Sequence, residues 1–190
     1  MKIKAWLTAL LIGSSFTASA VASPTYNEAE TIDEHISLLN TIKDMGINVQ
    51  INNPLLCKEE PGTMGMWDGE NKAFWLCQEV LRKAKTPIWN GTVYLATDED
   101  LDTIRHEAHH IIQDCQDGDI NGRLHPYMDD DNLRDFLAYY PDDNEESIAK
   151  LYRENGAPEH IVKIEIEAWA VAEMIPVEMI KEALISECEV

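Results

Sequence analysis

Residues His106, Glu107 and His110 constrain this chain more than any others, because they stand in the order His-Glu-x-x-His within Thr103–Gln113. On an α-helix, side chains four apart lie one above the other, so the two imidazoles can grip a single metal ion. Glu107 stands about 100° around the helix from His106, close enough to reach a water on the metal but not to be a ligand. Two neutral imidazoles, an open coordination position and a carboxylate that takes a proton from water are what metal-assisted hydrolysis requires. Among chains with six His, the pattern arises by chance on the order of once in a hundred. Its flanks therefore have to support it.

They do so in two ways. Thr97-Asp98-Glu99-Asp100 reads as the capping-box start of a helix. Leu101, Ile104, Ala108, Ile111 and Cys115 then form an apolar stripe centred opposite His106 and His110. One face can pack on a sheet while the other presents the histidines. His109, beside them, reads as a hydrogen-bonding neighbour rather than an alternative ligand.

The rest of the chain predicts an α+β arrangement. A helix is expected over 26–45, from Ile32, Ile36, Leu39 and Ile42 at helical spacing, and a half-buried strand over Ile47–Ile51. Residues 65–77 predict two strands around Asp68-Gly69, and Thr92–Ala96 a further strand after an Asn90-Gly91 turn. Asn90-Gly91-Thr92 also fits a glycosylation acceptor but is read as the tight turn. Beyond the motif helix, a short helix begins near Asp129. A second is capped by Asp143 with Glu146 and stops at Gly156. A third, with Pro158 in its first turn, runs to Ile175, and Pro176 opens a last one towards Cys188. The expected architecture is a small twisted β-sheet packed on the motif helix, with a C-terminal helical part.

That third helix holds two candidates for a third ligand. Ile161, Ile164, Ala168, Val171, Ala172 and Ile175 define its buried stripe. Glu165 falls at the edge of the stripe, beside Ala168 and Ala172, whose small side chains allow close helix approach. Glu167 falls nearly opposite, near Lys163, as a solvated carboxylate or one that supports the ligands. Glu165 is the expected ligand.

Glu165, Ala168, Val171 and Ala172, downstream of His-Glu-x-x-His, resemble the gluzincin pattern, and in particular the Glu-x-x-Ala-x-x-Phe-Ala run of the ImmA/IrrE family of short zinc peptidases. The resemblance covers roughly residues 65 to 176. It implies a minimal zincin-like domain with Zn²⁺ held by His106, His110 and Glu165, and Glu107 as general base.

Composition sets the compartment and narrows the partners. Met1-Lys2-Ile3-Lys4, an apolar run from Ala5 and small residues ending Ala20-Val21-Ala22 read as a signal peptide over 1–22, leaving 23–190 as one domain. Gly13, Ser14, Ser15 and Thr17 break the run, and no membrane span is expected in the mature chain. Cys57, Cys77, Cys115 and Cys188 make an even count, suited to a secreted or periplasmic protein. Of three possible pairings, Cys57–Cys77 with Cys115–Cys188 is favoured. The formal charge is −20, or −22 once Lys2 and Lys4 are removed with the signal, which argues against nucleic acid and anionic membranes.

The expected function is hydrolysis of a peptide bond in a peptide or protein substrate, with Zn²⁺ and Glu107. His125, Tyr139, Tyr140, Tyr152 and His160 are the candidates for holding the oxyanion. Asp117, Asp119, Asn121 and Gly122 match the first part of an EF-hand loop, but its twelfth place is Met128. A polar loop is the favoured reading there, with Ca²⁺ as the alternative. Two other classes remain beside the peptidase: a metal-binding module without turnover, and a disulfide-stabilised binding protein with an accidental motif.

Overall fold

The computed structural model describes residues 28–59, 63–78 and 97–188. The signal segment over 1–22, the Asn90-Gly91 turn and the strand over Thr92–Ala96 lie outside those residues. The architecture is α+β. In chain order the elements are α1 (Glu28–Asp44), β1 (Asn48–Ile51), α2 (Pro54–Glu59), β2 (Gly65–Asp68), β3 (Ala73–Leu76), α3 (Asp98–Asp114), α4 (Asp130–Leu137), α5 (Asp142–Glu154), α6 (Glu159–Met174) and α7 (Val177–Glu187).

The strands form a sheet of order β1-β3-β2, with β1 parallel and β2 antiparallel to β3. Val49 and Trp67 both register with Phe74, and Ile51 with Leu76. Because side chains alternate along a strand, these five share one face. That face meets α3 through Ile104, Ala108, Ile111 and Ile112, and α7 adds Val177, Ile180 and Leu184 to the same core. The stripe read along the motif helix is therefore a packing surface against the sheet.

The opposite side of α3 is covered as well. Helix α6 packs along it, with Ala168 and Ala172 fully buried. Arg105 reaches across this layer: its Nε donates to the Ala172 carbonyl, its Nη1 lies 3.2 Å from His35 Nε2 on α1, and it pairs with Asp102. Thirteen of the helix's seventeen residues, Asp100 to Asp114 except Asp102 and Arg105, are buried. A helix so enclosed must satisfy its polar side chains internally, and most of the site's geometry follows from that need.

Three local expectations change. Helix α2 interrupts what reads as a simple strand end: Asn53 Oδ1 accepts the Leu55 N–H at 3.0 Å, and Pro54 supplies a φ suited to a first turn. Helix α5 starts at Asp142 behind Pro141 with no side-chain cap, so Asp143 is inside the helix rather than capping it. Pro158 occupies the N-cap position of α6 rather than its first turn. The α3 start is the capping box expected, with Thr97 Oγ1 accepting from Asp100 N at 3.2 Å and Asp100 Oδ2 from Thr97 N at 2.9 Å.

Two disulfides form, Cys57–Cys77 and Cys115–Cys188, and no described helix is long and apolar enough to cross a membrane. The second bond joins the end of α3 to the end of α7. The two close loops of 20 and 73 residues by sequence separation. Chain-entropy scaling assigns them about 3 and about 4 kcal/mol. Cys115→Ala/Cys188→Ala is therefore expected to lower unfolding free energy by more than Cys57→Ala/Cys77→Ala does, read from urea midpoints. The reverse order would show that the longer loop is already constrained in the unfolded chain.

Candidate metal centre

Helix periodicity puts His106 and His110 on the face of α3 turned to α6, and Glu165 comes across from α6 to meet them. His106 Nε2 lies 3.0 Å from His110 Nε2 and 3.3 Å from Glu165 Oε2, which is 3.5 Å from His110 Nε2. Donor atoms bound at about 2.0–2.2 Å around one tetrahedral ion stand about 3.3–3.6 Å apart; the two edges to Glu165 match that spacing and the His–His edge is shorter by about 0.3 Å, close enough for one small cation. Among the described residues this is the one cluster of three His, Cys, Asp or Glu side chains with converging donor atoms.

The electrostatics of the metal-free cluster follow from its burial. Each of His106, Glu107, His110 and Glu165 is only 5% exposed, so every charge there lacks water. Burial pulls the His110 ring down, but the Glu165 carboxylate in contact with it, with Glu107 and Gln113, lifts it to about 9. Burial and the neighbouring His110 hold His106 down at about 4, against the pull of Glu165. Burial opposes the ionised form of Glu165, yet the two imidazoles keep it well below the usual carboxylate range. The shifts favour positive charge on His110 beside negative charge on Glu165, and a divalent cation would take over that charge balance.

Glu107 is not part of the triangle. Burial pushes it up to about 7; His110 and the Trp67 backbone N–H oppose the shift, and Glu165 adds to it. Strand β2 presses on it directly. A Cβ on Gly65 would lie 2.7 Å from Glu107 Cγ and 2.5 Å from Thr103 Cγ2, so only glycine lets the strand come this close.

Around these four lies a further layer of side chains. The Trp169 ring lies 4.3 Å from that of His106 and interacts with the Tyr152 hydroxyl, which also lies beside Glu165. Of the five oxyanion candidates, Tyr152 alone reaches the cluster. Tyr140 donates to Glu173 at 2.9 Å, Tyr139 is 86% exposed, His125 faces Asp117 at 3.9 Å, and His160 is exposed on α6. Trp169 follows Glu165 by four residues and Gln113 follows His110 by three. Both spacings place a side chain on the ligand's own face, a signal the sequence does carry.

Glu167 is fully buried, not solvated. His109 Nε2 lies 2.7 Å from its Oε1, Gln113 Nε2 donates to the same oxygen at 3.0 Å, and the N–H groups of Tyr127 and Met128 donate at 2.9 and 3.2 Å. Burial alone would raise its pKa, but these donors hold it below the usual range. His109 is accordingly a hydrogen-bonding neighbour and stands outside the triangle. The loop after α3 is fastened in the same manner. Buried Asp114 accepts from Trp67 Nε1 at 2.8 Å and from the N–H groups of Asn121 and Gly122 at 2.9 Å. A Cβ on Gly69 would collide with Asp114 Oδ2 at 1.9 Å, so the β2–β3 turn rests on this carboxylate. In this loop the Asn121 amide nitrogen donates to Asp117, and Asn121 Oδ1 accepts from the Arg123 N–H at 3.0 Å.

Removing the Glu167 carboxylate leaves His109 Nε2 and the partly buried N–H groups of Tyr127 and Met128 unpaired, and takes one of two acceptors from Gln113 Nε2. Glu167→Ala is expected to cost about 3–5 kcal/mol of stability, measured by urea unfolding of the metal-free protein. A loss under about 1 kcal/mol would mean that the carboxylate is effectively solvated.

No curated protein and no solved structure matches the chain. The family described as a domain of unknown function (DUF8637) matches residues 25–184. That span takes in α1 to α6 and most of α7, with the whole His106, Glu107, His110 and Glu165 cluster, and the chain belongs to that family.

Proposed function

We propose that this chain is an exported zinc-dependent metallopeptidase built as a minimal zincin-like domain over 23–190. The observation that carries the proposal is the triangle of His106 Nε2, His110 Nε2 and Glu165 Oε2, with edges of 3.0, 3.3 and 3.5 Å. Its two imidazoles and one carboxylate are the donor set of a catalytic zinc site, which keeps a fourth position open. When bound there, zinc supplies a Lewis acid and a water of lowered pKa.

The chain's own residues do the rest. Glu107 stands next to the donors without joining them, and its burial tunes the carboxylate to the range where a general base works best. Its Oε takes a proton as the water oxygen bonds to the scissile carbonyl carbon. It returns that proton to the amide nitrogen as the C–N bond breaks, and the water's second proton leaves the new carboxyl group for the released amine, giving a carboxylate and an ammonium. Tyr152, beside Glu165, is the side chain best placed to donate to the carbonyl oxygen. The two disulfides accord with an oxidising compartment. One observation favours a second reading, a metal-binding module without turnover: the donors and Glu107 are each only 5% exposed.

Purified protein should bind about one zinc per chain, and Glu165→Ala should lower that occupancy strongly. Glu107→Gln should leave zinc content and thermal stability unchanged while hydrolysis of a peptide library falls by about 10²–10⁴. Wild-type turnover in the Gln variant would sink the mechanism. Full zinc occupancy with no peptide cleaved by the wild type would establish the non-catalytic module instead.

A further inference from the structure

The two histidines are not held alike. His110 Nδ1 lies 2.7 Å from Gln113 Oε1. The orientation of the Gln113 amide is fixed from its other end, where Nε2 donates to Glu167 Oε1 at 3.0 Å and to the Ile164 carbonyl at 3.1 Å. Both of those partners only accept, so the amide nitrogen must face them and the amide oxygen must face His110. An amide oxygen has no proton to give. His110 Nδ1 therefore carries one, and its Nε2 is left facing Glu165 and His106. His106 has no such support. Its Nδ1 is buried and has no hydrogen-bond partner, and its ring is flanked by the rings of Trp169 and His110.

We infer that Gln113, oriented by Glu167 and the Ile164 carbonyl, is a positioning residue that fixes Nε2 of His110 as the donor nitrogen, making His110 the anchoring ligand and His106 the weaker one. The inference rests on the reading of His106, His110 and Glu165 as a zinc site. Its physical content is that a ligand ring held through its second nitrogen loses less freedom on binding and presents a more basic donor. The same relay ties the site to the chain after α3, because Glu167 also holds the N–H groups of Tyr127 and Met128.

The test compares Gln113→Leu, which keeps side-chain bulk and removes both hydrogen bonds, with His109→Phe, which strips Glu167 of a partner that does not touch His110. Zinc affinity is read by chelator competition, and the ligand field by the visible spectrum of the cobalt-loaded protein. Gln113→Leu should weaken zinc by about 10–100-fold and shift the cobalt bands. His109→Phe should lower stability yet keep affinity within about threefold, below the range of a lost ligand support. Equal losses in both variants would reduce the effect to packing and overturn the inference, as would an unchanged spectrum in folded Gln113→Leu.

A measurement on metal-free wild type stands apart from zinc and from the folding of any variant. The Nδ1 proton of His110 should appear as an exchange-protected signal in nitrogen–proton correlation spectra. Its absence would overturn the relay even if zinc binds. Its presence in a protein that takes up no zinc would retain the relay and discard the metallopeptidase reading.

Discussion

Enclosing ionisable groups on a single helix is the constraint from which this structure follows. Helix α3 withdraws Asp100, His106, Glu107, His109, His110 and Asp114 from water, and each bare charge of that kind costs several kcal/mol unless it is met. The fold meets most of them from different directions. Asp100 is taken up by the Thr97 cap, Asp114 by the sheet and the following loop, His109 by Glu167, and His110 by Gln113. The elements gather around α3 largely because each supplies a partner to it. Two members are left poorly met: the Nδ1 of His106 has no partner, and Glu107 has the nearby His110 and the Trp67 N–H against a larger burial penalty. In a protein that satisfies nearly all its buried polar groups, the exceptions mark places where local stability is subordinate to something else. Among the described residues the Trp75 indole nitrogen on β3 is unpartnered as well, and the two on α3 belong to the His-Glu-x-x-His residues.

The sequence made much of this legible, and the parts it concealed share a cause. Residues 98–114 announce their helix through a capping box and an apolar stripe, and the hairpin announces itself through Asp68-Gly69. Each signal is local, and each appears where expected. Glu165 is legible too, because helix phase separates it from Glu167. For Glu167 helix phase leaves two readings, a solvated carboxylate or one that supports the cluster; only the second fits its burial and its bond to Gln113, and the first shows the limit of that method. A helical wheel assumes one wet side, but α6 meets α3 on one side and the chain over 127–128 on another, so the face opposite the stripe is also dry. A carboxylate among apolar neighbours then reads as solvated when it is a structural acceptor. Long-range partners such as Trp67 for Asp114 leave no periodic trace at all, since the pairing depends on how a strand residue 47 positions upstream is aimed.

Packing at the sheet edge shows how backbone proximity substitutes for side-chain contact. Gly65 and Gly69 stand four apart on and just beyond β2, and both meet α3, one at Glu107 and the other at Asp114. Seven residues separate those acids, about two turns or 10.5 Å of helix, and four strand intervals cover about 13 Å. The strand therefore runs roughly along the helix, and its glycine backbone meets the Glu107 and Asp114 side chains at the two ends. Such a seat leaves little slack, because neither glycine brings a side chain that could turn aside.

The bond between Cys115 and Cys188 has a consequence beyond folding stability. It brackets the stretch of chain that holds α4 to α7, including the exposed turns on either side of α4 and α5. A single backbone cut anywhere inside that bracket yields two pieces that stay covalently joined. His106 and His110 lie on the first piece, and a cut ahead of α6 leaves Glu165 on the second. The two would still meet as an intramolecular pair, at an effective concentration set by the tether rather than by dilution. A molecule working among proteases, or capable of cutting its own kind, would thus keep its donor set together after being nicked.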